Sequence, residues 1–298
     1  MAMGESLEVE ANGLSPHRCN PRKAAAGSRL SWTAMAISQG ERLAEAAQSV
    51  VESELLPDPL AGKLTDGLSA GELAIATLPI VLFYHDNLTQ QRHYLAATVA
   101  AWGGDERLSD AVIVFGYAIA QAIKEQLTPS HLIAQILTYL HVSLPESAVR
   151  SADLIHCLET LKRLVAQGSD LQSAISVFQL DTKTQPMSVE IAIALYCFLQ
   201  TPDSISLALI RTRRLGIKPD IVGALVGALA GAYVSEAGIP AEWHSALQDS
   251  SIPPERSPQQ IHRLSAQLVS VWSGVYHTAV VQAQELPVVT VPWVVRSR

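Results

Sequence analysis

Apolar residues recur at intervals of three and four along most of this 298-residue chain. Leu132, Ile133, Ile136, Leu137 and Leu140 share one helical face, and Leu154, Ile155, Leu158, Leu161 and Leu164 share another. Leu264, Leu268, Val271 and Val275 repeat the pattern near the end of the chain. The spacing predicts about a dozen amphipathic helices, beginning near residue 29. Residues 1–28 lack periodicity and scatter Gly, Pro and Asn, which predicts a flexible arm. Leu286 to Val295 is rich in β-branched residues and proline, which predicts an extended tail or a lone strand.

Punctuation residues sharpen the boundaries. Thr128-Pro129 and Thr201-Pro202 each read as a hydroxyl cap ahead of a proline at the first helical position. Ser257 to Gln260 carries a capping-box spacing. Gly168 and Gly216 mark helix ends. Pro79 is expected to kink or divide the run from Leu73 to Tyr84. No linker or fixed-period repeat interrupts the series. The expected architecture is a compact all-α, single-domain, multi-helix fold over residues 29–284, with the arm before it and a tail at 285–298.

Composition narrows the class. The chain is 48% apolar and only 16% charged, too apolar for a disordered protein and ample for a large core. Its net charge of −7 and lack of a long basic run argue against nucleic acid or an anionic membrane as partner. The longest apolar run, Ile221 to Val234, falls short of the roughly 18 to 20 residues of a membrane span and reads as a buried helix. Glu5, Glu8 and Glu10 speak against a signal peptide. Cys19, Cys157 and Cys197 are odd in number and widely spaced, without zinc-ligand spacing. Cys157 and Cys197 sit in apolar helical runs and read as buried free thiols, so a cytoplasmic setting is expected.

One segment says more than the rest. Gly223, Gly227 and Gly231 recur every four residues on one face of a helix. Each glycine costs about 0.8–1.0 kcal/mol against alanine in a helix interior, so a close neighbour on that face is expected, with room cleared for a ligand as the alternative. The stretch Gly223-Ala-Leu-Val-Gly-Ala-Leu-Ala-Gly-Ala-Tyr233, followed by Gly238-Ile-Pro-Ala-Glu-Trp243, resembles the C-terminal signature of the ADP-ribosylglycohydrolase family. The match is good over residues 188–275; the N-terminal half matches in its helical pattern. The resemblance implies a compact all-α fold, a two-magnesium site and hydrolysis of ADP-ribosyl groups on proteins or small compounds.

The same resemblance locates the expected metal ligands. The family's Asp-x-Asp-Thr motif at the start of the glycine-rich helix corresponds to Lys218, Pro219, Asp220 and Ile221. Its Thr-Asp-Asp-Thr motif falls near Ser69-Ala70-Gly71-Glu72, with Thr65-Asp66-Gly67 as an alternative register. Its Gly-Asp-Ala-Leu-Gly turn falls near Ser38-Gln39-Gly40-Glu41. Asp220 is the surviving metal-ligand candidate, and Asp66 and Glu72 are weak candidates for a catalytic base. Lys218 replaces an acid with a base. At about 4 Å from a divalent ion, with an effective dielectric of about 20, its ammonium is repelled by on the order of 8 kcal/mol. No bound magnesium is therefore expected.

Lys218, Asp220, Arg213 and Arg214 are then candidates for holding a phosphate group without metal, with Lys218 paired to Asp220. The bland alternative is that the arginines offset the dipole of the helix that ends with them. The function expected is a catalytically impaired or inactive family member that binds or regulates, through an ADP-ribosyl or phosphate-bearing ligand or a protein partner. An active hydrolase and a structural subunit of a larger assembly are the alternatives.

Overall fold

A computed structural model describes residues 32–49, 67–143, 152–180, 186–215, 218–235, 238–240, 243 and 258–273. The expected arm, the tail, Cys19, Asp66, Ser257 and Gly216 lie outside these residues, as do the expected boundaries at 28 and 285. The described residues form helices joined by turns, with no strand among them. In chain order they are α1 (Trp32–Ser49), α2 (Ala70–Ala76), α3 (Leu78–Phe83), α4 (Leu88–Ala101), α5 (Glu106–Ile123) and α6 (Leu132–Ser143). Then come α7 (Ala152–Ala166), α8 (Leu171–Leu180), α9 (Pro186–Gln200), α10 (Ile205–Arg213), α11 (Pro219–Val234) and α12 (Pro258–Trp272). None of these helices is long and apolar enough to cross a membrane.

Local chemistry explains most of the boundaries. Pro79 sits at the start of α3, and Thr77 closes α2, so the run from Leu73 divides in two. Asn87 and Asp105 cap α4 and α5 by accepting from the amides of Gln90 and Leu108. Gly168 adopts a left-handed conformation (φ +60°) just past α7, which a side chain would resist. The two Thr-Pro pairs behave differently from the expectation. Thr128 and Pro129 form a turn, and α6 begins only at Leu132. Thr201 and Pro202 likewise open a turn, and Ser204 caps α10 by accepting from the Leu207 amide. A hydroxyl directly on the entry residue satisfies the free amides, so the cap lies where Ser204 stands.

Three helices occupy the interior. α5 is buried from Leu108 through Phe115 and packs against α2, α3, α4, α6, α9 and α11. α9 is buried from Val189 to Phe198, and α11 buries Ile221, Val222, Leu225, Val226, Leu229 and Ala230. Cys157 and Cys197 are both buried thiols outside any disulfide among the described residues, in keeping with the apolar runs around them. Trp243 rests half-buried on the core. On one flank α12 lies along α1, where Leu264 packs over Gly40 and Gln260 donates to Glu41.

The glycine face of α11 turns toward α10. A Cβ placed on Gly223 would lie 3.3 Å from Thr212 Oγ1, and one on Gly227 would lie 3.8 Å from Leu209 Cδ2. At Gly231 nothing stands within 4 Å. The close approach expected along the whole face is therefore confined to its first glycine, and the spacing to α10 widens from Gly223 to Gly227.

Candidate functional site

The N-termini of α2 and α11 meet in the structure, and a carboxylate from α9 lies between them. α2 is entered through a capping box. The Ser69 hydroxyl accepts from the Glu72 amide at 3.3 Å, and the Glu72 carboxylate accepts from the Ser69 amide at 2.9 Å. Gly71 follows directly inside the helix. Its N–H donates to Glu190 Oε2 at 3.1 Å. A Cβ on Gly71 would fall inside contact distance of that oxygen and 2.6 Å from Ile221 Cγ2 of α11. Glycine is required here by the close approach of two other helices.

Glu190 stands in a helix of apolar neighbours, with Val189, Ile191, Ala192 and Ile193 all buried around it. A carboxylate in such surroundings needs compensation for its lost hydration. Oε2 has the Gly71 amide. Oε1 has the Lys218 ammonium at 2.7 Å. The pair is asymmetric: the Glu190 side chain is 4% exposed and the Lys218 side chain 49%. The ammonium is thus anchored from within and open to solvent on its outer side.

Lys218 reaches this position from an unusual backbone. It precedes α11 with φ 33° and ψ 58°, in the left-handed region, and it is followed by Pro219. Its carbonyl accepts from the amides of Ile221 and Val222 at 3.1 Å. Its side chain caps nothing, since an ammonium has no acceptor. The expected pairing of Lys218 with Asp220 is replaced by the pairing with Glu190. Asp220 instead lies exposed in the first turn of α11, where a negative charge complements the helix dipole.

The remaining candidates lie on α10 and α2. Arg213 and Arg214 are exposed at the end of α10, and among the described residues no ion pair joins either to Asp220. Arg211 and Arg213 stand in the last turn of α10, the arrangement that offsets a C-terminal dipole. Glu72, a candidate base, is committed to its capping box. His85 closes α3 through a 2.7 Å hydrogen bond between Nδ1 and the Leu82 carbonyl, and its ring lies 5.0 Å from that of Trp272.

Glu190 was not singled out by sequence reasoning. A lone carboxylate inside the apolar run from Val189 to Phe198 was the available signal, because such a residue is rarely buried without a partner.

Magnesium takes hard oxygen ligands at close to octahedral geometry, and two adjacent ions need several carboxylates. At the meeting of α2, α9 and α11 the described carboxylates are Glu72, Glu190 and Asp220. The first is held by a helix cap and the second by an ammonium and an amide. Among the described residues no three His, Cys, Asp or Glu side chains are grouped to hold a metal ion. The described carboxylates here do not fit a magnesium pair, and Asp66 lies outside the described residues.

No curated protein matches the chain. The family profile described as ADP-ribosylglycohydrolase matches residues 5–278, which include α1 to α12. The chain belongs to the ADP-ribosylglycohydrolase family.

Proposed function

We propose that this family member does not carry out two-magnesium hydrolysis and acts as a binding or regulatory protein for an ADP-ribosyl or other phosphate-bearing group. The observation that carries the reading is the Lys218 ammonium, 2.7 Å from Glu190 at the junction of α2 and α11. A cation already held there repels a second one, and the charge argument of about 4 kcal/mol per unit charge at 4 Å applies with doubled force to a divalent ion. Half of the lysine side chain remains open to solvent, so an anionic group can approach the ammonium from outside. The N–H groups at the start of α11 add to the positive character of that end. The buried thiols Cys157 and Cys197 suit a reducing compartment, and the cytoplasm is the proposed location.

The reading is tested with the purified full chain and two assays. ADP-ribose titrated by calorimetry is expected to bind without magnesium, and to lose affinity in Lys218→Ala. An ADP-ribosylated protein incubated with the chain and magnesium is expected to keep its modification. Release of ADP-ribose that stops on adding a chelator overturns the proposal. Micromolar magnesium affinity that disappears in Asp220→Ala overturns it equally. Absence of any ADP-ribose binding removes the ligand from the reading.

A further inference from the structure

We propose that the Lys218 ammonium is the resident cation of this fold: it supplies, from the chain itself, the positive charge that holds α2, α9 and α11 together at their meeting point. The inference rests on the reading above and goes further, because it assigns Lys218 and Glu190 a joint role that can be tested without any ligand.

Three features of Lys218 are individually unfavourable. A lysine offers no acceptor at a helix entry, where Ser, Thr, Asp or Asn are preferred. Its charge lies at the positive end of the α11 dipole. Its left-handed backbone, directly before a proline, is a conformation that side chains other than Gly and Asn resist. Such strain persists only where surrounding contacts determine it. The contact that determines it is the ion pair with Glu190.

Glu190 makes the complementary argument. Its buried carboxylate collects one N–H from α2 and one ammonium from the entry of α11. Gly71 leaves the space that carboxylate fills. Removing the ammonium leaves a buried anion whose one hydrogen bond among the described residues is from the Gly71 amide, and a small cation is the species it would draw in. The lysine therefore both satisfies Glu190 and excludes divalent ions from it.

The experiment is thermal unfolding of the full chain, in chelator and in millimolar magnesium chloride at ionic strength matched with sodium chloride. The wild-type midpoint is expected to be the same in both. Lys218→Ala is expected to unfold about 5 °C lower in chelator, since breaking a buried pair leaves one charge uncompensated. Magnesium is expected to return most of that loss. A Lys218→Ala midpoint equal to wild type, or a loss that magnesium does not reduce, overturns the inference. The double variant Lys218→Met with Glu190→Gln removes both charges. It is expected to unfold within about 2 °C of wild type and to ignore magnesium, because no buried anion remains. A double variant as unstable as Lys218→Ala overturns the inference even if the single variant cannot be obtained folded. A magnesium-dependent shift in the wild type would instead count against the proposed function, so the two failures are distinguishable.

Discussion

The backbone N–H of Gly71 donates to the carboxylate of Glu190 at 3.1 Å, and the space beside it admits no side chain. Three helices approach one another at this glycine, with Ile221 of α11 on the far side. Gly71→Ala must therefore displace both Glu190 and Ile221. The expected loss is about 2 kcal/mol, typical of overpacking a filled core, read as a lower urea midpoint at unchanged slope. A neutral Gly71→Ala would mean that the three helices are not closely packed there.

The capping box at the entry of α2 separates a structural role for Glu72 from a catalytic one. Ser69→Ala is expected to cost about 1 kcal/mol by removing the acceptor for the Glu72 amide. Glu72→Gln keeps an acceptor for the Ser69 amide, and its stability is expected within about 0.5 kcal/mol of wild type. Urea unfolding of the two variants, compared in one buffer, checks the ordering. A larger loss for Glu72→Gln than for Ser69→Ala would contradict the cap.

The three glycines of α11 are expected to respond in graded fashion to alanine. Gly231 has open space, and Gly231→Ala is expected to stabilise by up to about 1 kcal/mol through helix propensity alone. Gly227 meets Leu209 at ordinary contact distance and should gain less. Gly223 meets Thr212 Oγ1 at 3.3 Å, and Gly223→Ala should be the least favourable of the three. Thermal midpoints in the reverse order would show that α10 does not lie where the structure places it.

Alkaline pH should destabilise the fold through Cys197. Burial pushes its thiol up to about 12, and the nearby Arg211 charge opposes that only in part. In the unfolded chain the thiol ionises near pH 8.5. The unfolded state therefore loses its proton first, and this contribution is complete below about pH 8.5 and declines toward about pH 12. Burial also pushes the hydroxyls of Tyr84, Tyr117, Tyr139 and Tyr196 above the usual tyrosine range, adding to the decline in the same direction. Urea midpoints measured across this range should fall with pH. Cys197→Ala, whatever its stability at neutral pH, should fall less steeply.

Much of the architecture was legible in the chain as written. The helical spacing of Leu154 to Leu164, the division at Pro79 and the stop at Gly168 depend on neighbours within a few residues, and the structure places helices accordingly. The Thr-Pro entries were misread because a proline fits a tight turn as well as a helix start, and the decision fell to Ser204 and to packing. The glycine repeat announced a close neighbour, but only the packing of α10 against α11 decided which glycine has one.

Sequence by itself determined the helical class, the family signature around Gly223 to Trp243, and the presence of a base, Lys218, before the glycine-rich helix, since each is a property of local pattern or residue type. Tertiary structure alone decided what that base does. Asp220 is its neighbour along the chain, yet Glu190 is its partner in space. The reason is that burial, which makes a carboxylate demand a counter-charge, exists only after α9 has been enclosed by α2, α5 and α11.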